Sequence, residues 1–176
     1  MGKAIRAIST AGAVAGVLDI SDAFTFYGVK GISPVRILQS ISSGLLGRQA
    51  YQGGVGTAAL GLLLHFIIAF SAAAIFYLAS RRIAFLTRRP VLAGLLYGVF
   101  VYAFMNGVVL PLSAIGTHGP THGWPLVNGV LAILLLVGLP ISLIVRRLAP
   151  AQESAAPGAG PSVPDGQSGL SSAAGR

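Results

Sequence analysis

Four long apolar segments dominate the hydrophobic pattern, separated by short polar stretches that carry the basic residues. They cover 7–27, 58–79, 91–111 and 124–145. Each approaches the ~20 residues a helix needs to cross a ~30 Å hydrocarbon core at ~1.5 Å per residue. The pattern predicts an all-α, integral membrane four-helix bundle.

Between the first two crossings the periodicity shortens. Ser33 and Pro34 form an N-cap followed by proline at the first helical position, where its missing N–H would be unpaired anyway. Val35, Ile37, Leu38, Ile41, Leu45 and Leu46 then recur at helical spacing, with Arg36, Gln39, Ser40 and Ser43 towards the other side. An interfacial amphipathic helix over 34–46 is expected, lying flat at the outer surface. A re-entrant hairpin dipping into the bundle is the alternative. Gln52–Gly56 is glycine-rich and reads as a joint.

After Arg147 the character changes to Ala, Gly, Ser and Pro with almost no large apolar residue. Such a stretch cannot bury enough surface to offset ordering. The chain is thus expected to divide into a transmembrane domain over 1–148 and a disordered C-terminal tail over 149–176. No internal repeat is evident.

Composition agrees with this division. Charged residues are 9% of the chain, where a soluble domain carries about 25%. The absence of cysteine excludes disulfides, thiolate metal sites and cysteine nucleophiles. A net charge of +8 is compatible with nucleic-acid binding. The basic residues flank apolar runs instead of forming one patch, so anionic lipids are the simpler partner.

Lys3 and Arg6 before a short apolar run also resemble a signal peptide. The run is rich in Ala and Gly and continues past Asp19 and Asp22 to Tyr27, so a retained helix is expected. Basic residues set the orientation. Lys3, Arg6, Arg81, Arg82, Arg88, Arg89, Arg146, Arg147 and Arg176 fall on one side, and Lys30, Arg36 and Arg48 on the other. A multi-pass arrangement with both termini in the cytoplasm is expected, with the anionic lipids at the cytoplasmic face.

The chemistry-bearing residues lie within the crossings. Asp19 and Asp22 fall in the first apolar run, where an ionised carboxylate costs up to ~2.5–3.5 kcal/mol at the helix centre. Gly12, Gly16, Asp19 and Ala23 share one face, so a small-residue packing stripe continues into carboxylates. The later crossings add His65, Asn106 (with Tyr102 one turn before it) and Asn128. Counted from the outer end, Asp19 lies ~12 Å deep, His65 and Asp22 ~7–11 Å, and the asparagines ~6–8 Å. Asp19, Asp22, His65, Asn106 and Asn128 are therefore expected to converge in one outer-leaflet layer. Arg36 is the candidate interfacial partner of Asp19 or Asp22. Structural hydrogen bonding between helices, at ~0.6 kcal/mol each, is the plainer explanation. A proton- or ion-handling site is the sharper one, because a carboxylate raises an imidazole's affinity for a proton. A small-ligand or catalytic site is a third.

No metal site or cofactor is expected. Two carboxylates and one histidine are an incomplete ligand set. The loop histidines His118 and His122 lack helical geometry, and a lone Asp-x-x-Asp is weak support for Mg²⁺.

The segments Arg36–Gly47, Thr57–Phe66 and Met105–Ser113 resemble those of a group of small, uncharacterised bacterial four-helix inner-membrane proteins. The resemblance spans about 12–147 and includes Asp19, Arg36, His65 and Asn106. It implies a bacterial inner-membrane location and supplies no activity. On the residues alone, a non-enzymatic accessory or scaffold protein leads, as a homo-oligomer or with a membrane-protein partner. A small ion- or proton-coupled transporter or channel is the alternative, and a membrane enzyme comes third.

Overall fold

The computed structural model describes residues 2–116 and 122–148. The tail 149–176 and His118 lie outside the described residues. Every element within them is helical. Four helices are long and apolar enough to cross a membrane: α1 (Gly2–Gly28), α3 (Gly54–Ser80), α5 (Pro90–Leu112) and α6 (Trp124–Leu148). The chain is a multi-pass membrane protein. Between them lie α2 (Pro34–Leu46), a 3₁₀ stretch over Gly47–Gln52 and the short α4 (Phe85–Arg88).

The first and last crossings run beyond their apolar segments through Lys3 and Arg6 and through Arg146 and Arg147, because lysine and arginine are good helix formers. Inside the bundle, α1 packs against both α3 and α6, and α5 packs against α6. Glycines set these distances. Gly12 and Gly16 leave room for the rings of Phe70 and Phe66 of α3. Gly94 and Gly98 of α5 lie so close to Gly138 of α6 that a Cβ on Gly138 would collide with the Gly94 carbonyl. Ser142 closes this crossing by donating to the Pro90 carbonyl at 2.7 Å.

Both α5 and α6 widen into a π-helical turn, over Met105–Val109 and Ile133–Gly138. The Leu110 N–H bonds to the Met105 carbonyl, and the Leu139 N–H to that of Leu134, each five residues back. A proline follows each of these turns, Pro111 and Pro140. Its ring would clash with the carbonyl four residues earlier, and it has no N–H to donate. The wider turn absorbs that break without ending the helix.

Helix α2 has the expected bounds and start: the Arg36 N–H donates to Ser33 Oγ at 3.3 Å. Its packing face differs from expectation. Ile37 is buried as the apolar stripe predicts, but so are Gln39, Ser42 and Ser43, whereas Val35, Leu45 and Leu46 are exposed. The reason is the closeness of α3, where the Leu38 carbonyl presses on Gly61. Only small side chains fit such a contact, and the two serines satisfy their hydroxyls within α2, on Gln39 and Ser40 carbonyls. Gln39 donates to the Gly54 carbonyl at 3.0 Å, and the Ala114 N–H to that of Gly44 at 2.8 Å. Helix α2 is thereby fixed to α3 on one side and to the end of α5 on the other.

The apolar core sits towards the end of the bundle that carries the N-terminus and α4. Ala7, Ala11, Ala73, Phe76, Ile141 and Val145 are all fully or almost fully buried there. At the other end the helices separate, and α2 covers the space they leave.

Candidate functional site

That space is a cavity of about 310 Å³, bordered by α1, α2, α3, α5 and α6. Its walls are mainly Ala, Ile, Val and Met. Asp19, Tyr27, Ser40 and His65 supply the side-chain polar groups. The volume is at the lower end of the ~300–1,000 Å³ typical of small-ligand sites.

Asp19 and His65 face each other across α1 and α3. His65 Nε2 lies 2.9 Å from the Gly16 carbonyl. A carbonyl oxygen only accepts, so Nε2 carries a hydrogen whatever the charge on the ring. The absence of a side chain at Gly16 lets the imidazole reach the α1 backbone. His65 Nδ1 then points to Asp19 Oδ2 at 4.0 Å, beyond hydrogen-bonding range. The His65 side chain is 12% exposed and that of Asp19 30%. With Nε2 committed, Nδ1 and the carboxylate are the two positions of this pair at which a proton can be taken up, at the wall of the cavity.

Asp22, one turn further along α1, behaves differently. Its Oδ2 accepts from Asn128 Nδ2 at 2.8 Å, a closed bond between α1 and α6. The two aspartates thus split, one satisfied by a neighbouring helix and one left facing open space.

The structure brings together four of the five residues expected in one layer, as two separate pairs, Asp19–His65 and Asp22–Asn128. Asn106 does not join them. It is exposed, and its amide donates to the Tyr102 carbonyl of its own helix at 2.9 Å. Counting residues from the end of the run gives a depth and not a face, and Asn106 lies on a face of α5 other than that of Val101 and Met105, which line the cavity. Arg36 does not pair with either aspartate. Its guanidinium stacks on the Tyr51 ring, 3.9 Å from the centroid, on the exposed side of α2. Ser33 and Pro34 start α2 in a register that turns position 36 away from α1. Among the described residues no three His, Asp or Glu side chains gather as a metal site, and His122 is exposed.

Tyr97 was not singled out from sequence. Its hydroxyl donates to the Ala72 carbonyl at 2.7 Å, joining α5 to α3 beside the cavity, and its ring meets Phe76 edge-on. A tyrosine in the middle of an apolar run was the available signal, since a buried phenol needs a partner. Tyr27 and Ser40 gave no comparable signal. They reach the cavity only because α2 folds back over α1 and α3.

Comparison with known proteins gives no match to any family model, curated protein or solved structure.

Proposed function

We propose that this chain is the protomer of a small proton-coupled carrier in a bacterial inner membrane, with both termini in the cytoplasm. The observation that carries this reading is the unclosed Asp19–His65 pair on a cavity wall. A carboxylate kept for helix adhesion closes onto a donor, as Asp22 does with Asn128. Asp19 instead keeps a gap to Nδ1 while the other ring nitrogen is held by backbone. Such a pair can take up and release one proton, and the cavity beside it can admit what the proton is exchanged for.

A carrier suits this better than an open pore. Phe76, Ile141 and Val145 seal the bundle on the side towards the termini, so the cavity is blind within one protomer. Alternating exposure then needs a rearrangement, and the two π-helical turns border the cavity at Met105, Ile133 and Val137. A second reading, an accessory or scaffold subunit, is favoured by the exposed apolar face of α5, where Leu96, Val99, Phe100 and Phe104 are available to a neighbouring copy.

The test is dissipation of an imposed pH gradient in reconstituted vesicles, on addition of a panel of small cationic, anionic and neutral organic solutes. Wild-type protein is expected to relax the gradient faster than empty vesicles, and Asp19→Asn and His65→Ala to lose that excess. Asn128→Ala should retain it. Wild-type vesicles no faster than empty ones, with both variants merely less heat-stable, would leave the scaffold reading in place.

A further inference from the structure

The cavity adjoins an opening to the side of the bundle. Helices α3 and α5 do not pack along their length, and Tyr97 bridges them. Next to that bridge lies a groove of about 240 Å³ whose walls include Ile75, Phe100 and Phe104. These three are 53%, 54% and 46% exposed, on crossings whose outer surface meets hydrocarbon. Ile68, Ala72, Val101 and Met105 border both the groove and the cavity. These four side chains lie between the groove and the cavity that holds the Asp19–His65 pair. Met105, unbranched and with three rotatable bonds, is the one best able to move aside.

We infer that the site takes an amphiphilic organic cation, an ammonium head on an apolar body, admitted from the bilayer through the α3–α5 groove. This rests on the proton-handling reading of Asp19 and His65. The charge argues for a cation, because among the described residues Asp19 is the one carboxylate on the cavity wall and no lysine or arginine lines it. A bound ammonium replaces the exchangeable proton as the carboxylate's partner, so one proton leaves as one cation arrives.

The route argues for an amphiphile. Tyr97, Phe100 and Phe104 form a stacked ladder on α5, with centroids 6.0 Å apart at each step, and all three line the groove. Aromatic faces attract ammonium groups, more strongly where water is excluded. Aliphatic walls on the α3 side accept the body. A small hydrated cation would gain nothing from this lining. An anion would meet the carboxylate.

The test is calorimetric titration of octyltrimethylammonium into wild-type protein in zwitterionic nanodiscs, against empty nanodiscs. Running it in two buffers of different ionisation enthalpy counts the protons released. Saturable binding with release of one proton is expected. Asp19→Asn should bind roughly tenfold to a hundredfold more weakly, the effect of removing the Coulomb attraction between the carboxylate and a quaternary ammonium that has no N–H to donate. Ser71→Trp, which fills the lipid side of the groove from an exposed position, should weaken binding while leaving the pair intact. Octanol and octyl sulfate should show no saturable heat.

Equal binding of octanol or octyl sulfate would overturn the inference, because the groove would then simply hold an acyl chain. An Asp19-dependent proton flux without any cation binding would overturn it too, and leave the carrier reading standing. Cation binding without proton release would instead overturn the proton coupling and keep the cation site. Should Asp19→Asn fail to fold, Ser71→Trp and the octyl sulfate comparison decide.

Discussion

At the scale of single residues, two aspartates three positions apart on α1 have opposite fates, and the partner helix makes the difference. Asp22 meets Asn128 on α6 at 2.8 Å, whereas Asp19 meets an imidazole whose nearer nitrogen stays 4.0 Å away. Hydrogen bonds between membrane helices contribute ~0.6 kcal/mol on average and at most ~1.7. Asn128→Ala also leaves a carboxylate without its donor, so a loss near the upper end of that range is expected in detergent unfolding. Asn106→Ala should change stability by no more than about 0.5 kcal/mol, as for surface positions generally, because its amide only returns to its own helix. A large loss at Asn106 would mean that α5 presents another face.

At the scale of elements, glycine sets how closely helices approach, and the consequences differ by position. A Cβ on Gly138 would meet the Gly94 carbonyl and the Gly98 backbone, whereas one on Gly56 meets nothing within 4 Å. Gly138→Ala is therefore expected to cost at least the ~1–3 kcal/mol of an overpacked contact. Gly56→Ala should be neutral or slightly stabilising, since alanine is the better helix former. Chemical unfolding of the two variants checks the contrast. The crossings were legible in sequence because an apolar run long enough to span a membrane has few other uses. Helix α2 was legible from Ser33, Pro34 and its periodicity. Its packing face was not, because hydrophobicity alone cannot say that serines will lie against Gly61. The π-helical turns were also hidden. Pro111 and Pro140 mark an interruption, but the sequence does not distinguish a kink from a wider turn. Asn106 was placed with the other polar residues by its depth alone, which says nothing of the face it occupies, whereas Asp19 and His65 sit on facing sides of α1 and α3.

At the scale of the whole molecule, the bundle has a packed end and an open end, and the proposed assignment of each to a membrane side rests on charge. With the N-terminus and α4 in the cytoplasm, the positive-inside rule is met and the cavity lies in the outer half. Single cysteines at Ala4, Lys30 and Arg82, probed in intact cells with an impermeant reagent, check this. Only the Lys30→Cys site should react, and labelling at Arg82→Cys would reverse the orientation. The central claim, that Asp19 and His65 hold one exchangeable proton at the cavity wall, is tested most directly by nitrogen NMR of the histidine side chains. The protein carries three histidines, and His65→Ala identifies the signal. His65 Nε2 should carry a hydrogen because the Gly16 carbonyl accepts from it, leaving Nδ1 as the nitrogen that faces Asp19. Asp19→Asn should change the Nδ1 signal, and Asn128→Ala should leave it unchanged. An Nε2 without its hydrogen, or an Nδ1 signal indifferent to Asp19, would contradict the account.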